Sequence, residues 1–233
     1  MSKHGKMALI YFSTCLTLLV CVKIYSATVT VFAEREEAER NFCIVIDPGH
    51  GGEDGGAVSC TGTPESTYNL DISRRLRDLL NLLGYKTTMT RETDISVYTK
   101  GDTLAQKKAS DLKARVNLVN ETDDAVLISI HQNYFSDSQY SGAQVFYAKT
   151  EGSKELAEKL QAEFVSKLNP GSRRQAKKAS GIYLMERINC PGILVECGFL
   201  SNPPEATKLK DASYQKTLCS VIAATVSRYL SNT

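Results

Sequence analysis

Residues 42–52 read Phe-Cys-Ile-Val-Ile-Asp-Pro-Gly-His-Gly-Gly, and this stretch decides the fold. Five apolar residues rich in β-branched side chains stop at Asp47-Pro48-Gly49. A run that short, closed by turn residues, reads as a strand rather than a helix. It does not alternate with polar residues, so both of its faces are expected to be covered, as in a parallel sheet. Ala125 to Ile130 repeats the pattern and leads into His131-Gln132-Asn133. Gly192 to Val195 repeats it again and leads into Glu196.

Helical patterns separate these strands. One opens at Thr63-Pro64-Glu65 and runs to about Leu83, with Leu70, Leu76, Leu79, Leu80 and Leu83 at helical spacing and Gly84 as its stop. Others cover Leu104 to Asn120, Gly152 to Leu168 and Ser213 to Leu230, with a short one from Pro203-Pro204. Tyr85 to Arg91, Ala143 to Ala148 and Ile182 to Met185 read as further strands, and Asn169 to Ser180 as a basic loop. Strands alternating with helices predict an α/β fold: a single layered domain with a mixed, mostly parallel sheet and helices on both faces.

The N-terminus follows another grammar. Lys3 and Lys6 precede an uncharged run from Met7 to Val22, which Lys23 interrupts, and Ile24 to Ala33 is again uncharged. Val31-x-Ala33 resembles a small-residue cleavage site, so residues 1–33 read as an export signal, or as a membrane anchor if uncleaved. Residues 34–41 read as a charged linker and 42–233 as the folded domain. The protein is therefore expected outside the cytoplasmic membrane, secreted or anchored. A net charge of +2 with no long basic run excludes nucleic acid as the expected partner. Five of the seven cysteines follow the export segment, with no C-x-x-C pair, so they read as small buried hydrophobes rather than a disulfide framework.

The chain has three histidines, and His50 and His131 each close a predicted strand. Ligands of open α/β sheets bind at the carboxyl ends of strands. Two imidazoles there, with a carboxylate and a water, make a catalytic zinc site. Glu65 is the candidate carboxylate, because a strand–turn–helix path returns the helix start over the strand ends. It also reads as a simple N-terminal helix carboxylate, favourable to the helix dipole. His131 alone also reads as a core histidine. Glu196 ends a buried strand, where a carboxylate needs a partner. It is either salt-bridged to an arginine or placed to take a proton from water at the metal. Asp47 and Asn133 are candidates to orient the imidazoles, and read equally well as turn residues. The Gly-rich turn after His50 lacks the residues of a phosphate loop.

The segments IVIDPGHGGEDGGA (44–57), ESTYNLDISRRL (65–76), TMTRETD (88–94), LKARVNLVN (112–120), LISIHQN (127–133) and PGILVECGFLSNPPEATKL (191–209) together resemble the zinc-dependent N-acetylmuramoyl-L-alanine amidases of the type-3 catalytic domain. They span nearly all of residues 42–230 in family order. The resemblance implies that His50, Glu65 and His131 bind Zn²⁺ and that Glu196 is the catalytic carboxylate. It implies peptidoglycan as substrate, cleaved between the lactyl group of N-acetylmuramic acid and L-alanine. Ser66-Thr67 stands where the family usually has Lys-Asp. A near-bare catalytic domain behind an export segment looks like the germination-specific subgroup, which acts on spore cortex. The short gap from Asn133 to Gly142 leaves no room for the helical insertion that blocks some division amidases, so regulation is expected from an accessory protein or from zinc occupancy. Two rivals remain: a zinc carboxypeptidase or endopeptidase, and a wall-binding protein without activity. Familiar zinc carboxypeptidases place their ligand His and Glu three residues apart, as H-x-x-E, whereas His50 and Glu65 lie fifteen apart, and all four site residues are present. The basic loop carrying Arg173, Arg174, Lys177 and Lys178 reads as solvated or as a contact for anionic stem peptides.

Overall fold

The computed structural model describes residues 16–25 and 42–232. Residues 16–25 form a helix, α1. The Val31-x-Ala33 pattern and the 34–41 linker lie outside the described residues. No helix among the described residues is long and apolar enough to cross a membrane. Asn41–Thr233 forms one compact unit.

Its elements run β1 (Cys43–Pro48), α2 (Glu65–Leu82), β2 (Lys86–Met89), α3 (Leu104–Asn120), β3 (Ala125–Asn133), β4 (Gln144–Tyr147), α4 (Ser153–Lys167), β5 (Lys177–Lys178), α5 (Tyr183–Arg187), β6 (Gly192–Phe199), α6 (Pro203–Lys210) and α7 (Ala212–Leu230). The strands form one sheet in the order β2-β1-β3-β6-β4-β5. β1 pairs in parallel with β2 and β3, and β3 with β6. β4 runs antiparallel to β6 and parallel to β5. The expected mixed, mostly parallel sheet is what forms.

Side chains alternate across a strand, and here that alternation builds two cores. Ile44, Ile46, Val126, Ile128, Ile130, Ile193 and Val195 face one way and pack with Leu76 and Leu80 of α2, Leu160 of α4 and Ile222 of α7. Val45, Leu127 and Leu194 face the other way and meet Val116 and Val119 of α3 and Leu184 and Met185 of α5. The same parity carries Asp47, Ser129, His131 and Glu196 to the second face, beyond its apolar core. α2 has no side-chain cap at Pro64. It stops where Gly84 takes a left-handed φ of 89°. α3 starts in a capping box formed by Thr103 and Gln106.

Three local expectations need correction. Ile182–Met185 is not a strand: Tyr183–Arg187 is one helical turn and a half, since Leu184, Met185 and Ile188 need to face the α3 core together. The basic loop contains the two-residue edge strand β5, both of whose lysines are exposed. The cysteine reading holds for Cys197 and Cys219, which are buried, and fails for Cys60, which is exposed.

Candidate active site

Strand pairing brings the first two groups together. His131 lies opposite Glu196 in the β3–β6 register. His50 follows β1, the other neighbour of β3, on a turn where it adopts a left-handed φ of 61°. The N-terminus of α2 then sets Glu65 between the two imidazoles. Its Oε1 is 3.0 Å from His131 Nδ1, and its Oε2 is 3.3 Å from His50 Nε2. Ligand atoms of His50, Glu65 and His131 all lie within 4.8 Å of one another.

A second layer orients these three. Asp54 Oδ2 sits 3.0 Å from His50 Nδ1, which leaves Nε2 as the nitrogen facing Glu65. Lys108 Nζ lies 3.1 Å from the same Asp54 oxygen. Glu65 accepts from the backbone N–H of Ala57 and of Gln132, each at 3.1 Å. Asn69, one turn along α2, donates to Glu65 Oε1 at 3.2 Å, and Gln132 donates to Asn69 Oδ1 at 3.2 Å. Burial opposes the charge on Glu65, but His131 and His50 outweigh it and hold the carboxyl well below the usual carboxylate range. Burial also opposes protonation of His50. Glu65 and Asp54 overcome that and raise it above the ordinary histidine value.

Glu196 is in a different environment. Its Oε2 is buried and has no hydrogen-bond partner among the described residues. Burial pushes its pKa up to about 7, aided by the charge of Glu65 and opposed by the two histidines. No arginine among the described residues pairs with it, and they give the salt-bridge alternative no support. It lines a cleft of about 230 Å³ together with His50, Asp54, Lys108 and His131, with Ile182, Tyr183 and Leu184 as an apolar wall. Wider surface grooves beside α3 and Lys178 hold none of these four groups.

The donor set would suit a divalent ion of borderline softness: two imidazole nitrogens and one ionised carboxylate, with ligand atoms close enough to share one ion. The orphaned Glu196 oxygen belongs to the same space. The structure therefore gathers all four residues singled out from sequence. It does not give Asp47 and Asn133 the orienting role for which they were candidates. Asp47 is held by Thr90, Arg115 and Ser129 at 2.6–2.7 Å. The backbone carbonyl of Asn133 accepts from Leu200 N–H at 2.8 Å. Asp54 does the orienting instead. It lies four residues past His50 within a Gly-rich turn, a spacing that signals a local contact only once the turn's geometry is known.

Comparison with known proteins points one way. The family model Amidase_3, described as N-acetylmuramoyl-L-alanine amidase, matches residues 44–228. The germination-specific N-acetylmuramoyl-L-alanine amidase of Bacillus subtilis (strain 168) is 41% identical over 188 residues, which cover 80% of this chain and 78% of that one. The solved CwlD amidase from Clostridioides difficile, in complex with the GerS lipoprotein, aligns with a TM-score of 0.79 and 38% identity, over 83% of this chain and 100% of that one. The catalytic domain of CwlV, an amidase from Bacillus (Paenibacillus) polymyxa var. colistinus, aligns with a TM-score of 0.68 and 27% identity, over 81% and 98% of the two chains.

Proposed function

The chain belongs to the N-acetylmuramoyl-L-alanine amidase family, and we propose that it cleaves the lactyl–L-alanine amide with His50, Glu65 and His131 holding Zn²⁺ and Glu196 moving the proton. The observation that carries this reading is Glu196: a carboxylate with an unpartnered, buried oxygen, opposite His131 in the sheet and open to the cleft. When bound, zinc supplies a Lewis acid that acidifies water and polarises the scissile carbonyl. Glu196 accepts the proton of the attacking water and returns it to the departing alanine nitrogen. Asp54 fixes the ring of His50, and the Ala57 and Gln132 N–H groups with Asn69 fix the carboxylate of Glu65, so neither ligand has to reorganise. Ile182, Tyr183 and Leu184 line the same cleft and offer apolar surface to the substrate.

The spore cortex is the wall we assign to it, supported by the name and coverage of the Bacillus subtilis relative. An accessory protein is part of the proposal, supported by the Clostridioides difficile structure being a complex with a lipoprotein. Residues 1–33 are proposed as a signal or anchor, 34–41 as a linker and 42–233 as the catalytic domain, with action outside the cytoplasmic membrane.

The test is zinc content together with digestion of purified peptidoglycan, for the wild type and Glu196→Gln. About one zinc per chain in both, with intact stem peptides and a free lactyl carboxylate released by the wild type only, is the expected result. Cleavage within the stem peptide would replace the amidase with a peptidase. Full activity in Glu196→Gln would remove Glu196 from the mechanism.

A further inference from the structure

Beneath the His50 turn lie two arginines that the proposed chemistry does not use. Arg91 follows β2, and Arg115 comes from α3. Their side chains are 0% and 2% exposed. Arg115 has close carboxylates, Asp47 and Asp111, both at 2.6 Å. Arg91 has none: Asp94 is 3.9 Å away and 56% exposed. Arg91 spends its donors on carbonyl oxygens instead. Nε reaches Pro48 O at 3.0 Å, Nη1 reaches Thr93 O at 3.0 Å, and Nη2 reaches Gly49 O at 3.1 Å and Ser66 O at 3.0 Å. Arg115 adds Pro48 O at 2.9 Å and His50 O at 2.8 Å.

Three consecutive carbonyls of the turn are thus held by buried guanidinium groups. From the outer side Ser96 Oγ donates to Gly51 O at 2.7 Å. Arg91 also bonds Ser66, the residue after Glu65, so one side chain bonds the backbone next to two site residues, at Gly49 before His50 and at Ser66 after Glu65. Burying a guanidinium without a close carboxylate is costly, and an apolar side chain would fill such a space at less cost. The turn also contains a cost of its own. A non-glycine residue in the left-handed region, as His50 is, is unfavourable and persists only where its surroundings over-determine it.

We infer that Arg91, Arg115 and Ser96 clamp the carbonyls of residues 48–51 so that His50 is held left-handed, with its imidazole presented to Glu65 and His131 before any metal arrives. They are positioning residues for metal capture and take no part in proton transfer. The inference rests on the zinc reading above.

The test measures zinc dissociation constants by competition with a chromophoric chelator, alongside thermal unfolding. The proteins are the full chain and its Arg91→Lys, Ser96→Ala and Leu160→Ala variants. Lysine keeps the charge but lacks the fork that spans several carbonyls. Leu160 is a fully buried residue of α4, outside the clamp, and serves as a stability control. Arg91→Lys is expected to bind zinc about 10–100-fold more weakly, as loss of a supporting residue does. Ser96→Ala should lose less, and Leu160→Ala should melt earlier with wild-type affinity. Wild-type affinity in folded Arg91→Lys and Ser96→Ala overturns the clamp. So does an equal loss in Leu160→Ala. If Arg91→Lys does not fold, Ser96→Ala decides alone, and unchanged affinity there overturns it. A wild type that takes up no zinc overturns the metal reading itself, and the clamp with it.

Discussion

Glu196 shows at the residue scale how a site costs stability. Its pKa is raised by burial from 4.5 to about 7. The fold therefore favours the protonated carboxyl, and its contribution is complete below pH 4.5 and is lost as pH rises through 7. Above that, the metal-free protein loses roughly 2–3 kcal/mol, allowing for the side chain's contact with the cleft. Metal-free Glu196→Gln is thus expected to have a higher urea midpoint than wild type at pH 8 and no such advantage at pH 4.5. The same gain at both values would contradict the burial argument. Hydrolysis by this variant should fall about 10²–10⁴-fold, with zinc content unchanged, as read by product release and metal analysis. Gly49 sets a second constraint. A Cβ built there would collide with Cε1 and Nε2 of His131. Gly49→Ala should displace that ring and leave protein that loses zinc on dialysis, whereas a retained stoichiometric metal would show that the ring has room to move.

At the scale of elements, α3 links the turn to the sheet. Its Thr103 side chain accepts from the Gln106 N–H while Gln106 returns a bond to the Thr103 N–H. Thr103→Ala should cost about 1 kcal/mol in urea unfolding, and no loss would mean the first turn frays in any case. Farther along α3, Arg115 meets Asp47 of β1. Burial opposes ionisation of Asp47, yet Arg115, Thr90 and Ser129 bring its pKa down from 3.8 to about 2. A depressed carboxylate contributes stability above its unfolded pKa, and that contribution disappears as pH falls from about 4 through 2. The amount is about 2 kcal/mol. Asp47→Asn should flatten the acid limb of a stability–pH curve and, by leaving Arg115 less compensated, cost about 3–5 kcal/mol at pH 7. An unaltered acid limb would place the pH dependence elsewhere.

At the scale of the molecule, the sheet separates two tasks. One face packs the large core against α2, α4 and α7. The other packs a smaller core against α3 and α5 and, past its end, opens into the cleft. Leu160→Ala, deep in the first face, should cost about 2–5 kcal/mol without altering kcat of the folded enzyme. A fall in kcat matching the fall in stability would mean that the two faces are not independent.

Much of this was legible in the residues themselves. Uninterrupted apolar runs ending at Ile46, Ile130 and Val195 imply strands covered on both sides, and helical spacing between them implies parallel crossovers. Chemistry-bearing residues at the ends of those runs then fall at one edge of the sheet, so His50, His131 and Glu196 could be singled out by position, and Glu65 by the path back from the turn. Short elements were less legible, because five residues at Tyr183–Arg187 are too few to distinguish one period from another. Periodicity is a property of the chain, and it determined the layers and the strand ends that carry the site. Support is a property of neighbours far apart in sequence. An arginine bonded to carbonyls twenty-five and more positions away looks the same in the sequence as one in solvent. Only the tertiary structure decided that Asp54 orients His50, that Asp47 pairs with Arg115, and that Arg91 lies beneath the turn, because direction, burial and hydrogen-bond partners exist only once the chain has folded.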